Sequence, residues 1–350
     1  MSTPSLTSER GAAAPASRTA EPRATETAPP LAGFLICAGA AALFGMLGVL
    51  SRSAYAQGME PTAFVSWRAL IGFLALALFV GWRMRRGVTP LVRWGSLPRR
   101  ARISLLAASL AGTVLNLCMF IAFDRITIAL ALLGFYTYPA LVAVVNVALG
   151  RERLDGSRLL ALALAIAGMI AVVASQLDPA AGIRVDAIGI GLALGAAVCQ
   201  TIFVLLARDG YPEVPSEQAM TTVLLMSGIG ALPVALVAGG AGALLLPVQV
   251  PSLLPLLLLT GIAACAIPSL GFLTGIRLIG GTRAGIVMLL EPVVGVTLAA
   301  WLLAEPLAPI QLLGAAAILG AAILLRRTSR SDGATSRADD DRAVVVPGGP

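Results

Sequence analysis

Two charges stand alone inside long apolar runs, and they carry most of the chemistry this sequence can offer. Glu291 follows Gly285-Ile-Val-Met-Leu-Leu290 and precedes Pro292-Val-Val294. A carboxylate in apolar surroundings must be paired, hydrated or protonated, so it can bind an amine or carry a proton. Arg68 sits about seven residues past Pro61 in a second run. Its planar fork can hold a carboxylate or phosphate through two parallel bonds. Its long stem also lets it snorkel toward lipid headgroups as an anchor. Asn116, Tyr136, Tyr138 and Gln200 with Thr201 are neutral hydrogen-bonding groups in further apolar runs. Burying them costs free energy unless they pair across helices or face a wet cavity. On a continuous helix Tyr136 and Tyr138 would point about 200° apart, leaving one of them at most to line a cavity. Pro139, Pro268 and Pro292 remove backbone bonds inside their runs and are the expected kinks or hinges. Gly191-x-x-x-Gly195 permits close approach of a neighbouring helix.

Other chemistries lack their residues. With no His, there is no His-ligated metal, His acid–base catalysis or His proton relay. All 25 basic residues are Arg, so no phosphate-binding loop ending in Lys-Ser or Lys-Thr exists and ATP-driven pumping by this chain is excluded. Cys37, Cys118, Cys199 and Cys265 show no C-x-x-C spacing and read as small packing residues. No metal or cofactor is expected. A membrane enzyme would need His, paired Asp or a metal-ligand cluster, and one deep acid does not supply that.

The elements that must position these residues follow from composition. Only 12% of the 350 residues are charged and 58% are hydrophobic, with a mean hydropathy of +0.90. A soluble domain carries about 25% charged residues. Too little polar surface remains to cover a body in water, so the solvent is lipid. Apolar runs of spanning length occur at 31–50, 61–81, 103–122, 127–149, 157–175, 186–207, 217–239, 252–275, 283–304 and 308–325. The prediction is an all-α integral membrane protein of ten transmembrane helices between tails at 1–30 and 327–350. The net charge of +7 reflects Arg beside the spans, where it serves orientation and headgroup contact, not nucleic-acid binding. With the N-terminus inside, 21 Arg fall on the cytoplasmic side against 3 outside, or 13 against 3 without the tails. Both termini are therefore expected in the cytoplasm. Glu152 and Glu305, at span ends, are expected as interfacial caps.

The chain also repeats itself. At a constant offset of 153, Ile126 falls on Ile279, Pro139 on Pro292, Glu152 on Glu305, Leu159-Leu160 on Leu312-Leu313 and Ile170 on Ile323. Residues 31–175 and 186–326 then form two five-helix halves. Because five is odd, the second half must insert upside down. Inverted repeats of this kind give secondary transporters two near-equivalent states around a shared midplane site.

Tyr138-Pro139 followed by Leu149-Gly-Arg-Glu-Arg-Leu154 and Ala161–Gly168 resembles the signature of the EamA domain in the drug/metabolite transporter superfamily. Glu291-Pro292, Ala304-Glu-Pro-Leu307 and Gly314–Ala321 repeat it in the second half. Phe44-Gly45 stands where members often have Trp-Gly, and Arg68-Ala-Leu resembles the Arg that opens their second helix. The resemblance covers about 31–326. It implies a ten-helix inverted-repeat fold with a cavity lined mainly by helices 1, 3, 4, 6, 8 and 9, with Phe44 near it. It further implies export or exchange of amino acids, related metabolites or drugs across the cell's inner (plasma) membrane. Ala304 replaces the usual Gly, and the first helix lacks the acid on which small multidrug-resistance members rely.

The expectation is a multi-pass secondary carrier of a small-molecule substrate, an exporter or exchanger with proton coupling at Glu291 and lipid as its other partner. A channel-like permease and a multidrug efflux carrier are the alternatives. Oligomeric state has no signal in the sequence.

Overall fold

The computed structural model describes residues 30–88, 91–126, 128–151, 155–175, 185–303 and 308–325. Glu152 and Glu305, and both tails apart from Pro30, lie outside the described residues. Within them the regular elements are all helical. In the first half these are α1 Leu31–Gly45, α2 Leu47–Ala56, α3 Pro61–Arg85, α4 Arg99–Arg125, α5 Ile128–Phe135, α6 Tyr138–Ala148 and α7 Gly156–Ala174. The second half has α8 Ala187–Asp209, α9 Ser216–Gln249, α10 Leu253–Gly261, α11 Ile267–Ile279, α12 Gly281–Met288 and α13 Leu290–Leu303. A shorter apolar helix, α14 Pro309–Leu325, closes the described chain.

Eight helical stretches are long and apolar enough to cross a membrane: α1–α2, α3, α4, α5–α6, α7, α8, α9 and α10–α11. Their outward faces carry exposed Leu35, Leu78, Leu110 and Leu258, side chains that suit lipid and not water. Several starts are fixed by acidic caps. Glu60 accepts from the Ala63 N–H at 2.8 Å ahead of Pro61, Asp155 from Arg158 at 2.9 Å, and Asp186 from Gly189 at 3.1 Å.

Four runs expected to be continuous are not: 31–50 divides at Met46 into α1 and α2, 252–275 is interrupted between α10 and α11, and two more divide within 127–149 and 283–304. The run 127–149 divides at Tyr136-Thr137 into α5 and α6, and the run 283–304 divides at Leu289 into α12 and α13. Helix α9 runs past 239 to Gln249 across a kink at Gly240, whose φ of 69° is a conformation only glycine adopts cheaply. The prolines explain part of this. Pro139 and Pro268 stand in the first two positions of α6 and α11, and Pro292 is the third residue of α13. At a helix start the missing N–H has no partner to lose. The three prolines therefore open new helices after an interruption instead of kinking a continuous one. Ahead of Pro268 the interruption is a π-helical turn, Ile262–Ala266.

The interruptions recur at the repeat offset. Shifting α5 by 153 lands on residues 281–288, the range of α12. Packing between the halves is reciprocal as well. A Cβ at Gly33, in the first turn of α1, would stand 2.5 Å from Ile279 at the end of α11. One at Gly189, in the first turn of α8, would stand 2.6 Å from Ile126 at the end of α4. Ile126 and Ile279 are repeat partners. Gly168 of α7 and Gly314 of α14 each abut the other's carbonyl oxygen. Small residues at such crossings let apolar helices meet backbone to backbone, which is how helices associate where water cannot drive them together.

Candidate functional site

Where α1, α3, α4, α6, α8, α9, α11 and α13 converge, with single turns of α2, α5 and α12, they leave a cavity of about 200 Å³. A single water needs roughly 10–15 Å³ on this measure, so the space holds a small organic molecule or a cluster of waters. Its wall is mostly aromatic and aliphatic, with Phe44, Phe123, Phe203 and Phe272 among its members. Polar groups interrupt it at seven points: Arg68, Asn116, Tyr138, Gln200, Ser227, Ser269 and Glu291.

Arg68 is only 6% exposed and turns into this cavity. That overturns the headgroup-anchor reading, since a guanidinium reaching lipid headgroups would not be enclosed by protein. The reason is local. Its Nη2 donates to Asn116 Oδ1 on the facing helix, and its charge lies over the Phe120 ring at 5.2 Å. Asn116 is itself oriented by donating from Nδ2 to the Gly112 carbonyl at 2.7 Å. The amide oxygen is thereby aimed at the guanidinium. Arg68 Nε is buried with no partner among the described residues, so the fork retains donor capacity for a ligand.

Glu291 is the second residue of α13, directly after the break at Leu289, and not deep within one long helix. A carboxylate in the first turn is favoured by the unpaired N–H groups and the positive end of the helix dipole. The Tyr136 hydroxyl lies within hydrogen-bonding reach of it. Backbone approach here is tight: a Cβ at Gly45 would stand 2.9 Å from the Glu291 carbonyl oxygen. Glycine at 45 lets α1 lie against the start of α13 and brings Phe44 to the cavity wall.

The two tyrosines owe their placement to the break between α5 and α6. Tyr138 lines the cavity, while Tyr136 is 1% exposed and serves Glu291 from behind it. Thr137 Oγ1 donates to the Gly134 carbonyl at 2.7 Å and satisfies one of the orphan acceptors that close α5. Both rings pack on Phe135 at 5.3 Å. Gln200 reaches the wall from α8, but Thr201 back-bonds to the Ala197 carbonyl at 2.8 Å. Phe44, Arg68, Asn116, Tyr138, Gln200 and Glu291 thus border one space, on six different helices.

Several site groups escape a reading of the sequence alone. Phe120, Ser227 and Ser269 look like ordinary span residues. Asn146 is different: it is a buried amide in an apolar run, the same signal that singles out Asn116. Its Nδ2 donates to Thr282 Oγ1 at 3.1 Å, joining α6 to α12. Cys265, expected as packing, also faces the cavity.

The wall as a whole is apolar, with one basic and one acidic side chain on it. A model of the EamA-like transporter family matches residues 31–174 and matches again over 187–327. The chain belongs to that family. EamA-like proteins form part of the drug/metabolite transporter superfamily, so this is a multi-pass membrane protein of the transporter class. No curated protein matches the chain. Among solved structures, one described only as "Crystal structure of protein" aligns with a TM-score of 0.67 at 17% identity. The alignment covers 85% of this chain and 98% of the other. At that identity the likeness is one of fold alone.

Proposed function

We propose that this EamA-like protein is a secondary carrier for a small zwitterion with an apolar side chain, an amino acid or close relative. It exports or exchanges that substrate across an inner membrane by alternating access. The observation that carries the reading is the enclosure of Arg68 and Glu291 in one apolar cavity at the level where two spans break. A charged group in the bilayer interior is costly unless it pairs or works. Here the two charges are held by neutral partners, Asn116 and Tyr136, so a substrate bearing both signs can satisfy both. Its carboxylate meets the Arg68 fork and its ammonium meets Glu291, while Phe44, Phe203 and Phe272 take the side chain.

Glu291 then has two competing ligands. Unprotonated, it holds the substrate amine; once protonated, it no longer does. Substrate and proton share one carboxylate in turn, and exchange follows from that competition.

Alternating access draws on the repeat. Ten crossings in two inverted halves, with both termini cytoplasmic, account for the reciprocal packing of Gly33 on Ile279 and Gly189 on Ile126. At one end of the broken helices α6 and α12 pack together through Asn146 and Thr282. Their repeat counterparts are Ala299 and Ala129, on α13 and α5. Two such ends, one closed at a time, give a cavity open to alternate sides.

The test is counterflow into proteoliposomes of leucine, its amine analogue and its carboxylic-acid analogue, with and without a pH gradient. The carrier reading expects concentrative uptake of the zwitterion and at least about tenfold preference over either analogue. Downhill leak of all three without counterflow means a channel. Preference for the bare amine means a cationic-drug efflux carrier.

A further inference from the structure

The connection between α3 and α4 carries a second chemistry, unrelated to the cavity. Arg85, Arg86, Arg93, Arg99 and Arg100 lie on it or at the helix ends that flank it, and all five are exposed. Among the described residues none of the five pairs with a carboxylate. Arg83, in the last turn of α3, does pair with Glu217 at 3.3 Å, and farther off Arg151 pairs with Asp209 at 3.5 Å, so this surface has one acid beside its five unpaired cations. Arg99 and Arg100 open α4, whose N-cap Pro98 supplies no side-chain bond and whose first turn has no acid. Cations at the positive end of a helix are unfavourable unless an anion comes to them.

Aromatic residues share this surface. Trp94 is 45% exposed on the short turn Trp94–Ser96, and Trp82 is 52% exposed with the Arg86 charge over its ring at 5.2 Å. Exposed indoles beside exposed guanidiniums, at the ends of two spans, match the boundary between acyl chains and headgroups. The opposite connection, between α9 and α10, offers a control within the same fold. Residues 240–253, the last turns of α9 with the short connection to α10, contain no charged residue at all.

We infer that the α3–α4 connection is a docking surface for anionic phospholipid, its Arg side chains binding headgroup phosphate while Trp82 and Trp94 seat beside the acyl chains. The protein's own C-terminal tail is the competing anion. It is a poor one, since residues 326–350 hold five Arg against four Asp.

Native mass spectrometry of the purified full chain, loaded with a mixture of phosphatidylglycerol and phosphatidylcholine, tests the inference. Retention of phosphatidylglycerol should exceed that of phosphatidylcholine at least tenfold. Replacing Arg86→Gln and Arg93→Gln should weaken it about fivefold per residue, the effect expected of one basic side chain beside an anionic surface. Truncation after Leu325 should leave the preference intact. Equal retention of the two lipids, a double variant that keeps the full preference, or a preference seen only after truncation would each overturn the inference. Counterflow is not part of the readout, so failure here leaves the carrier reading standing.

Discussion

The two spans that break just ahead of Pro139 and Pro292 are built alike and equipped differently. Helices α5 and α6 in the first half and α12 and α13 in the second are interrupted at the same place, and each has a proline in the first turn after the break. At the repeat offset Tyr138 corresponds to Glu291, Ala129 to Thr282 and Asn146 to Ala299. The backbone is duplicated while the ionisable chemistry is placed once. In the carrier proposed above, symmetry of main chain would supply the two states and asymmetry of side chain the substrate and coupling site. The residues that depart from the repeat are therefore the ones to read for function.

The largest expected effect breaks this contrast at its centre. Glu291→Gln should lower counterflow about 30-fold to several-thousand-fold and remove its dependence on a pH gradient, since truncating one partner of a desolvated charge pair costs about 2–5 kcal/mol. Tyr138→Phe, its repeat counterpart, should change counterflow far less. Equal losses in the two variants would mean that the chemistry is as symmetric as the backbone.

Next comes Arg68→Gln. Affinity for a zwitterion should fall about 10- to 150-fold, the range for a lost hydrogen bond to a charged group at about 1.5–3 kcal/mol, while affinity for the bare amine stays level. Isothermal titration with leucine and its amine analogue reads this directly. Arg68→Lys should rescue only part, because the ammonium lacks the fork.

Packing, by contrast, should respond symmetrically. Gly33→Val and Gly189→Val each push a side chain into the repeat-related isoleucine at the end of the facing helix. Each should destabilise by about 1–3 kcal/mol in a thermal or denaturant melt, and by similar amounts. Unequal losses would count against a shared architecture.

The smallest effect concerns the end of α4 and the start of α8. The Arg125 guanidinium donates to Asp186 at 2.9 Å and, with the Gly189 N–H, holds that carboxyl below its ordinary value of 3.8. A depressed acid contributes stability in full above that ordinary value and loses it as pH falls through its folded value. Melting temperature should thus be insensitive to this pair from neutrality to about pH 4 and decline below it. Asp186→Asn should flatten that decline.

Much of this layout is legible in the chain. Hydropathy marks the spans because lipid tolerates little else, and the offset survives in Pro139 and Pro292 because a proline is rare enough in such runs to be noticed. The breaks at Tyr136-Thr137 and Leu289 are not legible. Pro139 and Pro292 follow them closely, but a proline in an apolar run reads equally as a kink in one continuous helix and as the start of a new one. Arg68 shows the same limit from the side-chain end. Its sequence context permits either a reach outward to headgroups or a turn inward. Only the Asn116 amide and the Phe120 ring, on a helix about fifty residues away, decide between them. Asn146 was within reach, since a buried amide in an apolar run is a signal whether or not a motif surrounds it.

Alternating access by two inverted halves is the claim on which the rest depends, and paired spin labels test it most directly. With Cys37, Cys118, Cys199 and Cys265 replaced by Ala, one pair is placed at Leu130 and Thr297, on α5 and α13. A second goes at Val144 and Arg283, on α6 and α12; the 153-residue offset exchanges the two pairs. Electron–electron distances should change in opposite senses when pH and substrate are switched, the first pair closing as the second opens. Distances that move together, or not at all, in protein still active for counterflow would contradict the account.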